Sequence, residues 1–250
     1  MRFRTIISIG TLAGLGDIIA HMSSRPDTRL VLASASPRRR RLLALLGLGY
    51  DVTAVDTPED LTGELASRPA DLAAALAAEK AVAARDTAAR ELVAAFDTIV
   101  VHGTTLLGKP TDRNDARRML RELSGGTHEV VTGVALLEPG AETPVTFAVT
   151  TPVRMRDLSD ADIDRWFDAG EYLGCAGAYN IESHLAEVDA DQCFQNVAGL
   201  PLCHLYVALC TPPLSELIDR PECPAPRCDA VRGARCLLGP RVVAGAGCKC

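Results

Sequence analysis

The residues best suited to chemistry stand in a serine-rich turn that leads into a run of arginines. Residues 30–33 form a short apolar run, Ser34 and Ser36 follow it, and Pro37 precedes four consecutive arginines at 38–41. This order predicts a buried strand, a turn and a helix with Ser36 as its N-cap. Cations are unfavourable in a first helical turn, where the helix dipole and free N–H groups attract negative charge. A bound anion of phosphate size would gather the hydroxyls, amides and guanidinium groups, whereas a solvated basic turn is the alternative.

A carboxylate and a lysine in otherwise apolar surroundings are the next candidates. Asp97 is the single charge in residues 92–101, a nearly continuous apolar run that is typical of a buried central strand. Burying an ionised carboxylate costs on the order of several kcal/mol unless it is paired or binds a metal, so Asp97 is either functional or caps a strand end. Lys80 continues the apolar stripe of a helix predicted over residues 69–89, and its ammonium either reaches solvent or points into a cleft.

The elements that must position these groups alternate along the chain. Apolar runs and strict alternation predict strands, and helical periodicity with capping residues predicts helices. Their interleaving predicts an α/β fold, a single domain with a mixed, largely central sheet, flanking helices and two lobes around a cleft. Further strands are predicted at residues 50–55, 127–137 and 143–155. Further helices are predicted at residues 112–123 and 160–168, and a last helix starts from the 196–202 segment and runs through residue 210.

Several segments resemble, in order, the motifs of the Maf family of nucleoside triphosphate pyrophosphatases. The first is the Ala-Ser-Ala-Ser-Pro-Arg-Arg opening at residues 33–39. The others are the Glu-Lys-Ala step at 79–81, the strand around Asp97, the Gly-Lys-Pro turn at 108–110 and the Asn-Val-Ala-Gly-Leu-Pro segment at 196–201. The resemblance covers about residues 30–210.

This resemblance implies dimerisation and hydrolysis of the α–β phosphoanhydride of a nucleoside triphosphate, which yields a nucleoside monophosphate and pyrophosphate. It implies Asp97 as the catalytic carboxylate and matches Lys80 to the lysine motif of the family. Carboxylate-only ligand sets suit Mg²⁺ or Mn²⁺, so Glu59, the third expected catalytic residue, and Asp97 are also expected to carry a divalent metal cation. The expected substrate-binding residues are Ser34, Arg38, Arg39, Thr98, Lys109 and Glu182. A non-catalytic regulator is the alternative, because some Maf proteins are linked to inhibition of septum formation.

Residues of a Gly-rich loop near the end of this region and residues elsewhere in the motifs indicate different preferences for the nucleotide base. Maf enzymes of the dTTP/UTP type usually carry Asp-Lys and Gln where this chain has Gly174, Cys175 and Glu182, and the Cys and Glu resemble the branch acting on 7-methyl-GTP. Arg38 and Thr98 instead match the dTTP/UTP branch. An ionised carboxylate only accepts hydrogen bonds, so Glu182 favours a broad or guanine-tolerant enzyme over a strict dTTP/UTP one.

Composition excludes other classes of function. The 250 residues are 48% hydrophobic and 23% charged with a net charge of −6, which argues against a general nucleic-acid binder and confines any anion site to a local cluster. No apolar run approaches the roughly 20 residues that span a bilayer, so no membrane partner is expected.

Residues 1–27 are interpreted as a poorly ordered N-terminal extension. The lone His128 has no partner at ligand spacing and is expected to be structural.

The nine cysteines are expected to be reduced in a cytoplasmic protein, because nothing else in the sequence indicates secretion. Five of them fall in a Pro/Gly-rich tail, residues 211–250, without a Cys-x-x-Cys pair. This composition predicts a loosely folded tail after a catalytic domain at residues 28–210. A zinc-dependent interaction module built on the tail is the weaker alternative.

Overall fold

The central element of the fold is the strand that carries Asp97. The computed structural model describes residues 29–248, so the extension predicted over residues 1–27 lies outside the described residues. Strand β3 (Leu92–His102) is buried along most of its length, as its apolar run predicts. It pairs in parallel with β1 (Leu30–Ala33) and in antiparallel fashion with β5 (Thr127–Leu137).

The remaining strands complete a mixed sheet, which confirms the predicted fold class. Seven described strands form the sheet in the order β2-β1-β3-β5-β6-β7, and β4 pairs with the far end of β3. Their bounds are β2 (Tyr50–Thr53), β4 (Thr105–Leu107), β6 (Val145–Met155) and β7 (Ala186–Glu187). The bounds predicted for β5 agree with the structure residue for residue.

The helices of the predicted domain are α1 (Pro37–Ala44), α2 (Pro69–Ala83), α3 (Arg113–Leu123), α4 (Asp160–Asp168), α5 (Phe194–Val197) and α6 (Leu202–Leu209). Ser36 caps α1 as predicted, Ser159 forms a capping box at α4, and Asp112 caps α3. Helix α2 ends earlier than the predicted residue 89, because the Thr87 hydroxyl donates to the Ala84 carbonyl at 2.9 Å and closes a 3-10 turn there.

The two faces of β3 belong to different parts of the core. Side chains alternate along a strand, so Asp97 shares a face with Ala95 and Ile99, which pack with the apolar side of α2. Phe96 points to the opposite face, where α1, α3, α4 and α6 supply the main apolar core. Thr98 therefore belongs with α1, and Asp97 belongs with α2.

A glycine opposite Asp97 lets α2 approach the sheet closely. Gly133 of β5 is the register partner of Asp97. A Cβ atom at Gly133 would lie 2.0 Å from the backbone oxygen of Ala73 in α2, a separation that no side chain tolerates. This close approach brings Lys80, two turns further along α2, to the carboxylate on β3.

The tail beyond residue 211 is folded against the domain, so the expectation of a loose tail is wrong. Two further helices, α7 (Ala225–Arg232) and α8 (Leu238–Gly245), bury Cys228 and Val243 in the main core. The backbone N–H of Glu222 donates to the Leu46 carbonyl at 2.7 Å, which fixes the tail to the end of the α1 segment. The apolar residues of these two helices are isolated in the sequence and show no helical periodicity, so the helices could not be predicted from the pattern.

The cysteines also depart in part from expectation. Seven described cysteines are free thiols, whereas Cys223 is disulfide-bonded. No group of three or more His, Cys, Asp or Glu side chains within residues 29–248 is arranged to hold a metal ion, so nothing in this range supports a zinc centre on the tail. Over the same residues, no helix has the length and apolar character needed to cross a membrane.

Candidate active site

The cleft opens where β1 ends and β3 continues. Ala33, the last residue of β1, pairs with Ala95, so the part of β3 that follows lacks a parallel neighbour. Ligands of open α/β sheets bind at the carboxyl ends of such strands. A cleft of about 530 Å³ begins at this edge and contains both Asp97 and Thr98 in its wall.

A chain of opposite charges forms the floor of the cleft. The Lys80 ammonium donates to Glu59 Oε1 at 2.9 Å and to Asp97 Oδ1. The Lys109 ammonium, on the turn before α3, donates to the same Glu59 oxygen. Asp97 is 1% exposed and Lys80 is 7% exposed. The structure thus brings together four predicted residues that are far apart in sequence, and Lys80 points into the cleft rather than out to solvent.

The surroundings shift the pKa values of the two carboxylates in opposite directions. Burial raises the pKa of Asp97, and this effect outweighs the lowering by the Lys80 ammonium. Burial also opposes ionisation of Glu59, but its hydrogen bond from Lys109 and the charge of Lys80 hold its pKa below the usual range. Glu59 consequently remains a carboxylate, whereas Asp97 is the stronger base of the two.

One oxygen of Asp97 is left without a protein partner. Asp97 Oδ2 is buried and accepts no hydrogen bond from any described residue. A buried acceptor of this kind is costly unless a ligand, a water molecule or a cation satisfies it. Mg²⁺ is commonly held by one or two carboxylates together with substrate phosphates. Asp97 and Glu59 therefore fit a cation that arrives with its substrate better than a cation held by protein alone.

The serine-rich turn forms one wall of the cleft. Ser36 Oγ accepts from the backbone N–H of Arg39 at 3.5 Å, which caps α1 as predicted. Ser34 is 5% exposed and its Oγ accepts from the N–H of Ser36 at 3.2 Å. Arg38 Nη2 reaches the Gly174 carbonyl on the far side of the cleft at 3.3 Å, through an exposed contact that a ligand could replace.

Arg39 makes three hydrogen bonds to protein groups around the cleft. Its Nε donates to the Gly199 carbonyl at 2.8 Å, its Nη1 to Ser34 Oγ at 3.3 Å and its Nη2 to Thr98 Oγ1 at 3.0 Å. Burial lowers the pKa of Arg39, although the charges of Asp97 and Glu59 oppose that shift. At least three of its five N–H groups are thus engaged with protein.

The far end of the cleft is formed by the Gly-rich loop. Glu171 and Asn180 line it, and Asn180 Nδ2 donates to Glu171 Oε2 at 3.3 Å. Sequence reasoning missed both residues, because a Gly-rich loop carries no periodicity that shows which side chains turn inward. Glu182, which is expected to read the base, is bonded to two residues of the cleft wall: its carboxylate pairs with Arg41 at 2.8 Å and accepts from Asn180 Nδ2 at 3.5 Å.

The buried histidine has a hydrogen-bond partner behind this wall. His128 Nε2 lies 2.7 Å from the hydroxyl of Tyr179, which lines the cleft. Burial lowers the pKa of His128 to about 4, so the imidazole is neutral near pH 7. This arrangement agrees with the structural role expected for His128.

The cleft lies at a strand end and holds cations both on its floor and in its serine-rich wall. Its floor also holds Asp97, a buried carboxylate with a raised pKa. These features define an α/β enzyme that acts on an anionic ligand. The family model described as Maf-like protein matches residues 29–211. The chain belongs to the Maf family, and the matched range agrees closely with the 30–210 expected from the motifs.

Relatives with curated names cover the same region. A protein of Syntrophotalea carbinolica is 40% identical over 73% of this chain and 84% of its own length. One from Geobacter sulfurreducens is 46% identical over 71% of this chain and 93% of its own, and one from Anaeromyxobacter dehalogenans is 47% identical over 70% and 89%. All three are named dTTP/UTP pyrophosphatase.

Proposed function

We propose that this chain is a nucleoside triphosphate pyrophosphatase, which hydrolyses the α–β phosphoanhydride to a nucleoside monophosphate and pyrophosphate. The names of its Maf relatives support this activity. The observation that carries it is the pairing of buried Asp97 with Lys80 on the floor of a cleft whose wall is the turn at residues 34–39. Retention of both groups argues against the non-catalytic alternative.

The roles follow from where charge develops during hydrolysis. Asp97, whose pKa is raised by burial, orients the attacking water or accepts its proton. Lys80 and Lys109 lie where they neutralise the phosphate charge, and Glu59 holds both ammonium groups in place. Arg38 joins them from the opposite wall. Positioning and charge neutralisation dominate phosphoryl chemistry, so few covalent roles are needed.

We further propose that a divalent cation, Mg²⁺ or Mn²⁺, acts with the substrate. Asp97 and Glu59 would hold it together with phosphate oxygens, because Asp97 Oδ2 lacks a partner among the described residues. Such a cation would supply charge neutralisation at the phosphates. Its involvement is tested by measuring turnover after chelation and after return of each metal.

The proposed substrates are dTTP and UTP, the nucleotides in the relatives' names. The sequence favours a guanine-tolerant enzyme through Glu182, but that carboxylate is already paired with Arg41 of the cleft wall. We therefore expect Glu182→Gln to change the ratio of kcat/KM for dTTP over GTP by less than about threefold, because an ion pair at the rim discriminates weakly. A tenfold shift towards dTTP would show that Glu182 reads the base.

The deciding experiment is release of pyrophosphate from a panel of nucleoside triphosphates with and without Mg²⁺ or Mn²⁺. Metal-dependent release of pyrophosphate from dTTP and UTP is the expected result. Release of orthophosphate alone, or no turnover with any nucleotide, would contradict the proposal. A cytoplasmic location and a homodimer remain proposals, tested by cell fractionation and by light scattering.

A further inference from the structure

The hydrogen bonds of Arg39 close into a ring that joins three segments of the active site. Thr132 of β5 donates its hydroxyl hydrogen to the Asn196 carbonyl at 3.0 Å. A threonine hydroxyl has one hydrogen, so in its 3.0 Å contact with Thr98 the Thr132 oxygen accepts and Thr98 donates. Thr98 in turn accepts from Arg39 Nη2. The bonds therefore run in one direction, from Arg39 through two threonines to Asn196.

The ring returns to Arg39 through the segment that begins at Asn196. The N–H of Gly199 donates to the same Asn196 carbonyl at 2.9 Å, and the Gly199 carbonyl accepts from Arg39 Nε. A side chain at Gly199 would crowd the guanidinium, because a Cβ there would lie 3.3 Å from Arg39 Nε, and its φ of +98° favours glycine. The loop before α6, β3 and β5 are thus fixed relative to α1 by one guanidinium.

This direction of donation decides what the two hydroxyls can offer to a ligand. Ser34 Oγ accepts from Ser36 N–H and from Arg39 Nη1, which fills its two acceptor positions and leaves its hydrogen free. Thr98 has already donated its hydrogen to Thr132, so it has none for an anion. Of these two hydroxyls in the cleft wall, Ser34 alone is prepared to donate to a phosphate oxygen.

We propose that Arg39 is a positioning residue, which aims the Ser34 hydroxyl at the phosphates and holds the strand of Asp97 in register, rather than a principal phosphate ligand. This inference rests on the proposed function. Its neighbour Arg38, whose hydrogen bond to the Gly174 carbonyl is exposed and whose other polar neighbour is the Cys175 thiol, is the phosphate ligand of the pair. Lysine can replace a point charge but cannot make three bonds in a fixed fork, so the two arginines differ in their tolerance of Lys.

The test compares Arg39→Lys with the matched control Arg38→Lys in steady-state pyrophosphate release. Arg39→Lys is expected to lower kcat by about 10²-fold with KM within about threefold, because misplaced catalytic groups cost rate rather than affinity. Arg38→Lys is expected to raise KM by about tenfold with kcat within about threefold. A rise in KM for Arg39→Lys with kcat retained would make Arg39 a phosphate ligand and overturn the proposal.

A second pair of variants keeps the test informative if Arg39→Lys does not fold. Thr132 is fully buried and does not line the cleft, so its substitution removes no contact to substrate. Thr132→Val is expected to lower kcat by about tenfold at equal folded concentration, and Thr132→Ser to restore it, because only the hydroxyl link differs. Full kcat in Thr132→Val would contradict the proposal that this ring of hydrogen bonds positions the active site.

The two proposals fail in different ways. If the wild-type protein releases no pyrophosphate, the proposed function fails. The Arg39 inference is then still decided by the Kd for dTTP, which Arg39→Lys leaves within about threefold and Arg38→Lys raises about tenfold. Equal rises in Kd for both variants would overturn the inference alone.

Discussion

The two faces of β3 use polar residues in opposite ways. On the α2 face, Asp97 meets the ammonium of Lys80 and, through it, Glu59, so charge is concentrated in a buried place. On the α1 face, Thr98 joins a chain of hydrogen bonds in which Arg39 supplies the only charge. In the proposed mechanism, the first face holds the groups that exchange protons, and the second holds groups that fix the geometry of the site. Adjacent residues of one strand would thus separate chemistry from support.

The largest expected effect is on the charged face. Asp97→Asn preserves size but removes the proton acceptor, so we expect pyrophosphate release to fall by about 10²–10⁴-fold. The thermal unfolding midpoint, measured on the same sample, should remain close to that of the wild type because Lys80 keeps Glu59 as its partner. Turnover within tenfold of the wild type would remove Asp97 from the chemistry.

The close approach that unites the charged face should be equally sensitive in stability. Gly133→Ala forces a Cβ against the Ala73 carbonyl, so we expect a loss of about 3 kcal/mol in the free energy of unfolding. Gly49→Ala is the matched control, because a Cβ there meets no atom within 4 Å. Denaturant titration of both proteins checks this. Similar stabilities would mean that α2 shifts freely on the sheet.

Stability should depend on pH through His128 of β5, which shares a face with Val130 and Val134 of the main core. Burial lowers the pKa of His128 from 6.5 to about 4, so the unfolded chain binds its proton first as pH falls. Stability from this group is complete above pH 6.5 and is lost between 6.5 and about 4, by about 3 kcal/mol in total. His128→Gln should reduce the slope of unfolding free energy against pH in this window, and the slope that remains includes His204, whose pKa burial also lowers. The exposed-site variant His184→Asn should keep the wild-type slope, and an unchanged slope in His128→Gln would contradict the assignment.

The smallest expected effect is on the hydroxyl beside Asp97. Thr98→Val removes the acceptor for Arg39 and the donor to Thr132, which should cost about 1–3 kcal/mol of stability and about tenfold in kcat. Thr98→Ser, which keeps the hydroxyl, should recover most of both, and circular dichroism melts with pyrophosphate assays measure the two. A rise in KM without a fall in kcat would mean that Thr98 binds phosphate directly.

The sequence could predict the frame of this site because its signals are local. The apolar run with one carboxylate located β3 and Asp97, and capping serines located the starts of α1 and α4. These features depend on neighbours within a few positions, which a single sequence contains.

The direction of each long side chain could not be predicted, because it depends on segments distant in sequence. Arg38 and Arg39 are adjacent and identical in type, yet one spans the cleft and the other bonds three separate segments. Glu182 is expected at the base, but its carboxylate is taken by an ion pair with Arg41. The tail was expected to be loose because single buried side chains such as Cys228 give no periodic pattern.

The most direct measurement is the ratio of rate losses in Asp97→Asn and Thr98→Val, taken from single-turnover pyrophosphate release with dTTP at equal concentrations of folded protein. Both substitutions are nearly isosteric and lie one residue apart on β3, so they differ mainly in the face that they alter. We expect the fold-decrease in rate to be at least about ten times larger in the Asp97 variant than in the Thr98 variant. Equal losses, or a greater loss in Thr98→Val, would contradict the separation of chemistry from support across this strand.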